Sequence, residues 1–259
     1  MSRNDPRILA GSAIVTGAGS GLGRALSLRL TQKGMTVLGL GRRSAALSVI
    51  AEEAGRAFVA VPTDVSDFDA LRSAFATLKD HPPLTLLINC AAIYPHRDFL
   101  DETPESFMNT MAINFGGTLA ATRLALDHFI ETGFGRILNV ATFADLTPLP
   151  TASAYSTSKG ANRILTRALV ADLSDRFPNI VISDWMPGML ATEMGLPNGL
   201  SPERSAIWGT ELALWHATSL NGATFEQDRE ILPARGIKSR LKDGLALRRT
   251  KPRSLNDTS

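Results

Sequence analysis

Six largely apolar runs of strand length recur along the chain, with segments of helical periodicity between them. The runs are residues 12–16 (SAIVT), 35–40 (MTVLGL), 57–61 (AFVAV), 84–89 (LTLLIN), 136–141 (RILNVA) and 180–185 (IVISDW). Apolar residues at successive positions are typical of strands buried on both faces. The segments between them predict helices near 21–33, 44–54, 67–79, 104–131 and 153–176. This alternation predicts an α/β fold with a doubly wound parallel sheet and helices on both faces.

In such a sheet, ligands bind beyond the carboxyl ends of the strands. Residues with candidate chemistry follow the predicted strands closely: glycines after residue 16, then Arg42, Asp64, Asn89, Thr142 and Pro187. The sequence therefore predicts one ligand site along this edge of the sheet.

Composition favours a single domain with a sizeable core. The 259 residues are 44% hydrophobic and 20% charged, which is ordinary for a soluble protein. No apolar run approaches the roughly 20 residues that span a bilayer, and the first residues lack the apolar stretch of a secretory signal. We therefore expect a cytoplasmic protein with no membrane partner.

Charge is distributed unevenly along the chain. Residues 231–259 hold eight Lys/Arg and two Asp, a charge of +6, which leaves −4 for residues 1–230 because the whole chain carries +2. A basic end can contact nucleic acid or acidic lipid, but a solvated end is the commoner case. No aromatic residue follows Phe225, so the extension has no ring on which single-stranded bases could stack. We expect no nucleic-acid partner; residues 238–249 could form a short amphipathic helix that packs on the body or on a neighbouring subunit.

The single cysteine, Cys90, excludes an internal disulfide and a multi-cysteine metal site. It lies in an apolar run and is expected to be buried and structural. We expect no metal.

A glycine-rich loop, residues 16–23 (TGAGSGLG), lies between the first predicted strand and the helix that follows it. Glycines permit a tight turn and close approach of the main chain, so a pyrophosphate can lie on the amide groups of the helix N-terminus. Such a loop could also be a structural turn, but its place at the start of a series of βαβ units indicates dinucleotide binding. The candidate cofactor-binding residues of the loop are Gly17, Ser20, Gly21, Leu22 and Gly23.

The second predicted strand leads into Gly41, which is followed by Arg42 and Arg43. An NAD-specific site carries Asp or Glu at this point to bind the ribose hydroxyls of the adenosine. A guanidinium instead binds a 2′-phosphate through charge-assisted paired hydrogen bonds. The sequence therefore predicts NADP(H), although two arginines at a helix start could also be merely solvated.

Tyr155 and Lys159 lie four residues apart on a predicted helix, so their side chains share one face. A nearby ammonium stabilises phenolate, which predicts that Lys159 lowers the pKa of Tyr155 from its usual value of about 10. Tyrosine then becomes a usable acid or base near neutral pH. The spacing alone is weak evidence, but Tyr155 is one of two tyrosines in the chain and follows a strand that ends at the ligand edge.

Taken together, these motifs resemble the short-chain dehydrogenase/reductase family in its common cytosolic form. The matching segments are residues 16–23, Asp64-Val65, 89–92 (NCAA), Asn114, 139–142 (NVAT), 155–159 (YSTSK) and 187–192 (PGMLAT), in the family's order and spacing. The resemblance implies a Rossmann-type, dinucleotide-binding oxidoreductase domain over residues 1–230, followed by a basic C-terminal extension over 231–259. It also implies an NADP(H)-dependent enzyme that interconverts a carbonyl and a secondary alcohol by hydride transfer.

Carried over by position, the resemblance assigns roles to single residues. Tyr155 would be the general acid or base, Lys159 would also hold the nicotinamide ribose, and Asn114 would hold a water that relays protons. The other implied cofactor contacts are Gly17, Gly21, Leu22 and Gly23 at the diphosphate and nicotinamide side, Asp64 and Val65 at the adenine, Asn89 and Ala91 at the ribose region, and Pro187, Gly188 and Thr192 at the nicotinamide.

Three residues at two sites depart from the family pattern. Thr142 stands where the family has its catalytic serine; it keeps a hydroxyl donor, but its methyl stiffens the side chain. Cys90 and Ala92 stand where the family usually has Asn and Gly, a change that concerns stability more than mechanism. Thr142 leaves one alternative open, a catalytically weakened regulatory or scaffold protein of the same fold that binds a dinucleotide.

Substrate and assembly are less clearly encoded. An apolar ketone, aldehyde or secondary alcohol is expected, while His96 and Arg97 leave room for an anionic substrate. The long helices near 104–131 and 153–176 resemble those through which family members associate, so we expect a homodimer or homotetramer. Several residues could line an apolar pocket, although each is more often a core residue than a substrate contact: Tyr94, His96, Phe143, Trp185, Met186, Met189 and Met194.

Overall fold

The structure is a computed structural model that describes residues 4–232 and 251–256. The described residues form one eight-stranded sheet, with β1 at Ser12–Thr16, β2 at Thr36–Gly41, β3 at Phe58–Pro62, β4 at Leu84–Asn89, β5 at Gly135–Val140, β6 at Ile180–Met186, β7 at Thr224–Glu226 and β8 at Arg229–Ile231. The spatial order is β3-β2-β1-β4-β5-β6-β7-β8. Strands β1 to β7 pair in parallel, and β8 pairs with β7 in the antiparallel direction. The predicted doubly wound sheet is therefore confirmed, with an antiparallel edge strand that was not predicted.

The helices connect the strands in the expected alternation. They are α1 at Pro6–Leu9, α2 at Gly21–Gln32, α3 at Ser44–Ala54, α4 at Phe68–Ala76, α5 at Pro104–Met111, α6 at Gly117–Thr132, α7 at Ser153–Leu173 and α8 at Pro202–Leu214. A π-helical turn, Ala112–Gly116, joins α5 to α6, so the helix predicted near 104–131 is one run with a local bulge. In the part of the chain that the structure describes, no helix combines the length and apolar character needed to cross a membrane.

Side chains that alternate along the strands enter two separate cores. Ala13 and Val15 of β1 pack in a core with Leu26 of α2, whereas Ile14 between them packs in the other core with Phe129 of α6. All five side chains are fully buried. Burial of a side chain as large as valine, leucine, isoleucine or phenylalanine stabilises the fold by about 1.5–3 kcal/mol before entropic costs. Helices on both faces therefore bury the sheet, and ligands can reach it only along its edges.

Helix α8 fixes the segment that follows β6. Its first turn is capped by Ser201, whose Oγ accepts a hydrogen bond from the Arg204 amide at 3.2 Å, and Pro202 occupies the next position. Ser205 then donates a hydrogen bond from Oγ to the Pro187 carbonyl at 3.0 Å. The loop after β6 is thereby tied to a helix that packs on α2.

Residues 251–256 return to the sheet beside β8. The Glu230 amide donates to the Arg253 carbonyl at 2.9 Å, and the Leu255 amide donates to the Asp228 carbonyl at 2.7 Å. The Leu255 side chain is buried in the core. The end of the predicted extension thus packs on the body, while the amphipathic helix predicted at 238–249 lies outside the described residues.

Candidate active site

A cavity of about 790 Å³ opens at the carboxyl ends of the parallel strands. Most of the predicted site residues line it, although they come from seven separate segments of the sequence. Those that line it are Gly17, Ser20, Gly21, Leu22, Gly23, Arg42, Arg43, Asp64, Val65, Ala91, Thr142, Tyr155, Lys159, Pro187, Gly188 and Thr192. Asn89 and Asn114 are not among the lining residues.

The glycine-rich loop forms one end of this cavity, with no room for larger side chains. A Cβ atom on Gly23 would lie 2.1 Å from the Gly17 carbonyl oxygen, and Gly17 itself has a φ of +70°. Ser20 is the N-cap residue of α2, but its side chain accepts no hydrogen bond from the first turn. The amide groups of that turn remain available to an anionic ligand, so the loop fits the pyrophosphate of a dinucleotide.

The two arginines after β2 lie at the same end of the cavity. Arg42 and Arg43 are both exposed, and among the described residues no carboxylate forms an ion pair with either. Burial raises the pKa of the nearby Asp64 carboxyl, but hydrogen bonds from Ser66 and the charge of Arg42 outweigh it and leave that pKa below its usual value. Both guanidinium groups are therefore available for an anion.

Helix α7 and the segment after β5 bring Tyr155 and Thr142 together. The Thr142 hydroxyl is close enough to Tyr155 to lower the pKa of the phenol in part, and it accepts a hydrogen bond from the Ala144 amide at 3.2 Å. Lys159, one turn after Tyr155, is buried and donates from Nζ to the Val140 carbonyl at 2.8 Å. The predicted hydroxyl pair and the lysine are thus assembled on one wall of the cavity.

The expected lowering of the tyrosine pKa is wrong for this arrangement. Burial raises the pKa of Tyr155 to about 12, and the Thr142 hydroxyl offsets only part of this, while Tyr94, Asp145 and Cys90 raise it further. The Lys159 Nζ lies 5.9 Å from the centre of the Tyr155 ring, and burial lowers the pKa of the lysine itself. Desolvation of the phenol therefore sets the direction of the shift, and Tyr155 is protonated at neutral pH.

Asn114 lies on the π-helical turn, where it braces the strand-to-helix segment after β4. Its Oδ1 accepts from the Ile93 amide at 2.8 Å, and its Nδ2 donates to the Ile93 carbonyl and to the Ser158 hydroxyl. Its main-chain carbonyl accepts from Thr118 Oγ1 at 3.0 Å and from Asn162 Nδ2 at 2.9 Å. A relay water on Asn114 would share that carbonyl with two protein donors, and the relay stays a prediction.

Asn89 points into the sheet and belongs to a chain of buried polar side chains. Its Nδ2 donates to Asn139 Oδ1 at 2.8 Å, Asn139 Nδ2 donates to Thr166 Oγ1 at 3.0 Å, and Thr166 Oγ1 donates to Asp184 Oδ1 at 2.6 Å. The chain crosses β4, β5, α7 and β6 beneath the cavity. It accounts for the buried position of Asn89, whose predicted cofactor contact remains untested.

An aromatic stack forms the wall next to Tyr155. The Tyr94 ring lies on the Tyr155 ring with centroids 4.6 Å apart, and the His96 ring stacks on Tyr94 at 3.7 Å. Phe143, Met186, Met189 and Met194 line the cavity as predicted, together with Leu149 and Leu196, which were not predicted.

Two of the predicted substrate contacts are wrong. Trp185 is fully buried, and its Nε1 donates to the Gln227 carbonyl at 3.0 Å, because alternation along β6 turns it into the core beneath α8. Arg97 does not line the cavity, since its guanidinium forms an ion pair with the buried Glu102 carboxylate at 3.0 Å. His96 remains as the candidate contact for an anionic substrate.

Sequence reasoning also missed a buried ion pair behind Thr142. Arg163 on α7 pairs with Asp145, and the two side chains are 10% and 2% exposed. The helical spacing of Tyr155, Lys159 and Arg163, each four residues apart, was the available signal. It was not decisive, because the partner of Arg163 comes from a turn whose geometry the sequence does not reveal.

Residues 12–199 match the family model described as short chain dehydrogenase. Galactitol 2-dehydrogenase (L-tagatose-forming) of Cereibacter sphaeroides is 33% identical over 205 residues, which are 78% of this chain and 80% of that protein. L-xylulose reductase of Mesocricetus auratus is 31% identical over 197 residues, 75% of this chain and 78% of that protein. The 2-(R)-hydroxypropyl-CoM dehydrogenase of Xanthobacter autotrophicus is 34% identical over 190 residues, 70% of this chain and 75% of that protein.

A solved structure from Agrobacterium tumefaciens, described as that of a candidate gluconate dehydrogenase, has the same fold. It superimposes with a TM-score of 0.74 over 85% of this chain and 96% of that chain, at 23% sequence identity.

Proposed function

The chain belongs to the short chain dehydrogenase family, and on that premise we propose that it is an NADP(H)-dependent oxidoreductase in which Tyr155 is the general acid or base. The family's members interconvert carbonyls and alcohols, as the relatives' names indicate. The observation that carries the proposal is the pairing of the Thr142 and Tyr155 hydroxyls in the cavity that also holds the glycine-rich loop.

Cofactor preference is proposed from Arg42 and Arg43, which pair with no carboxylate in the described part of the chain. Arg42 and Arg43 would hold the 2′-phosphate, since no acidic residue follows β2 to bind a free ribose 2′-hydroxyl. Gly17, Ser20, Gly21, Leu22 and Gly23 would hold the diphosphate, Asp64, Val65 and Ala91 the adenosine half, and Pro187, Gly188 and Thr192 the nicotinamide.

When bound, the cofactor supplies the hydride in carbonyl reduction. Thr142 and Tyr155 donate hydrogen bonds to the substrate's carbonyl oxygen and orient its carbon. As negative charge develops on that oxygen, Tyr155 transfers its proton to it. A pKa of about 12 keeps the proton on Tyr155 before the reaction, which suits the residue to the reductive direction.

Lys159 and Asn114 support this transfer. Lys159 uses one of its three donors on Val140, so two remain for the ribose hydroxyls and for the phenolate that forms at Tyr155. Asn114 anchors the Ile93 main chain directly beside Tyr94, and is proposed to assist the return of the proton.

An apolar ketone or secondary alcohol is the proposed substrate. Tyr94 stacks on Tyr155, and Phe143, Leu149, Met189 and Leu196 line the same cavity. These side chains bury hydrocarbon but leave most substrate hydroxyls without partners. Arg97 is committed to Glu102, so an anionic substrate has lost one of its two expected contacts.

A homodimer or homotetramer is proposed from the surfaces of the long helices. Met108 of α5, Leu119 of α6 and Ile164 of α7 are large apolar side chains that the single chain leaves exposed. Association through these helices would cover them.

Replacing Tyr155 with Phe tests the catalytic proposal. The variant loses the proton donor but keeps the ring that stacks on Tyr94, so turnover should fall to background while NADPH binding is retained. The measurements are NADPH consumption over a panel of apolar ketones, and NADPH and NADH affinities by fluorescence titration, with NADPH expected to bind at least about tenfold more tightly.

The same measurements separate the rival function. A wild-type protein that binds NADPH tightly and turns over no carbonyl compound would favour the regulatory or scaffold protein. Near-normal turnover in Tyr155→Phe would contradict the assignment of Tyr155.

A further inference from the structure

Arg163 occupies the third position of a stripe on α7 that begins with Tyr155 and continues with Lys159. Its side chain is 10% exposed, and its guanidinium reaches residues of two other elements. Nε and Nη2 donate to the Asp145 carboxylate, with the Nη2 to Oδ1 distance at 3.0 Å. Nη2 also donates to the Thr142 carbonyl at 3.0 Å and lies 3.7 Å from the Met186 sulfur.

These contacts join the three parts of the chain that meet at the reacting atoms. Thr142 lies directly before the turn that follows β5, Asp145 lies within that turn, and Met186 directly precedes the Pro187-Gly188 loop. Turn hydrogen bonds from Leu146 and Thr147 to the Phe143 carbonyl close the same segment. A planar guanidinium that binds the residue before a turn and a side chain within it fixes the turn relative to the helix carrying Tyr155.

We propose that Arg163 and Asp145 are positioning residues that hold the Thr142 hydroxyl against Tyr155. The inference rests on the proposed function, because it requires that these two hydroxyls bind the substrate oxygen. Neither residue lines the cavity, so both act through Thr142 and through their charges.

The pair also shapes the electrostatics of the site. Asp145 disfavours ionisation of Tyr155 and favours the charged form of Lys159. The other groups that face these residues are Tyr94 and Cys90 at Tyr155, and Asp184, whose carboxylate faces both Lys159 and Arg163. Loss of one partner of the pair would leave the other charge uncompensated in a buried site.

A set of three variants separates positioning from stability. Arg163→Met removes the clamp and leaves a buried charge on Asp145, whereas Arg163→Met/Asp145→Leu removes both charges and restores an apolar interior. Arg167→Met is the matched control, since Arg167 is an exposed arginine one turn further along α7. We expect Arg163→Met to lower both kcat and the melting temperature, and the double variant to recover the melting temperature without recovering kcat.

The expected loss of kcat is about tenfold to a hundredfold in both variants, which is the effect of misplacing a reacting group by a fraction of its hydrogen-bond length. NADPH affinity should be unchanged, because the clamp touches no cofactor-binding residue. Arg167→Met should match the wild type in all three measurements.

The pH dependence of alcohol oxidation gives a readout that a purely structural role does not move. Oxidation requires Tyr155 to accept a proton, so its rate rises as Tyr155 ionises. Arg163→Met leaves Asp145 uncompensated and should move this rise to higher pH, while Asp145→Asn leaves Arg163 uncompensated and should move it to lower pH.

The outcomes distinguish failure of the Arg163–Asp145 clamp from failure of the proposed function. Opposite pH shifts with a low kcat in the stable double variant would support the clamp. Wild-type kcat in the double variant, or pH shifts in the same direction, would overturn it while leaving the proposed function in place. A wild-type protein without any turnover would overturn the proposed function and this inference together.

Discussion

Thr142 differs from serine by one methyl group, and its surroundings show what that methyl can do. The Thr142 hydroxyl lies between the Ala144 amide and the Tyr155 hydroxyl. A β-branched side chain has fewer rotamers than serine, so the methyl holds the hydroxyl in place but reduces the room beside the substrate carbon. Thr142 therefore holds its hydroxyl more rigidly than serine would, and it leaves less room for the substrate.

Two substitutions at this position separate the hydroxyl from the shape. Thr142→Val keeps the volume and loses the donor, so kcat should fall about 10²–10³-fold, as when one donor to a developing oxyanion is removed. Thr142→Ser keeps the donor and should retain most of the turnover. Steady-state kcat at saturating NADPH is the measurement, and a Thr142→Val enzyme as fast as wild type would show that the hydroxyl is not used.

At the scale of elements, β4, β5, α7 and β6 are connected by the buried chain from Asn89 to Asp184. Every donor in this chain points towards Asp184, whose carboxylate accepts the last hydrogen bond from Thr166. Burial raises the pKa of Asp184 to about 6, although Thr166, Arg163 and Asn139 each lower it in part. The Asp184 carboxylate is thus the final acceptor that orients this row of hydrogen bonds. Its negative charge, being buried, destabilises the folded state.

The sign of the resulting pH dependence is opposite to that of most carboxylates. The folded state holds the Asp184 proton more tightly than the unfolded chain, whose pKa is near 3.8. This contribution to stability is therefore complete below about pH 4 and is lost as pH rises to about 6, with a total on the order of 3 kcal/mol.

Asp184→Asn tests this dependence, because asparagine keeps an acceptor for Thr166 and carries no charge. The free energy of unfolding of the variant, relative to wild type, should increase between pH 4 and 6 and stay level above that range. Urea unfolding at several pH values in this range is the measurement. Parallel curves for the two proteins would contradict the raised pKa.

The elements differ in how well the sequence predicts them, for identifiable reasons. β1, β2, β4, β5 and β6 are apolar runs buried along most of their length, and β3 is an apolar run that is only partly buried, so their pattern was clear. β8 has three residues at the edge and follows a two-residue turn without glycine. Helix α8 was missed although Ser201-Pro202 is a good signal for a helix N-terminus. The helix contains small residues, such as Gly209, which packs against the Trp185 ring, and these weaken its apolar stripe.

The same distinction holds for the candidate site. Glycines, arginines and the Tyr155 and Lys159 pair lie within short stretches of sequence, so their placement could be predicted. The pKa of Tyr155, the ion pair of Arg163 and the buried position of Asn89 depend on partners from other elements, and only the packed structure shows them.

At the scale of the whole molecule, the single chain exposes apolar side chains on the helices that face away from the sheet. Ile164 on α7 is 59% exposed and Val49 on α3 is 56% exposed, although they lie on opposite faces of the sheet. The proposed interface includes Ile164 and does not include Val49.

This pair provides a matched test of assembly. Ile164→Arg places a charge in the proposed interface and should shift the protein towards a monomer of 27.7 kDa. Val49→Arg places the same charge outside that interface and should leave the wild-type oligomer unchanged. Light scattering after size-exclusion chromatography measures both. A monomeric wild type, or a Val49→Arg variant that dissociates equally, would contradict an interface through α7.

The stack of Tyr94 on Tyr155 has an optical consequence. The chain has two tyrosines, and both lie in this stack, with ring centroids 4.6 Å apart. The near-ultraviolet band that appears when a phenol ionises therefore arises from this cavity alone. Unlabelled protein thus carries its own chromophore for the reacting group, since Tyr155 absorbs in this band once it ionises.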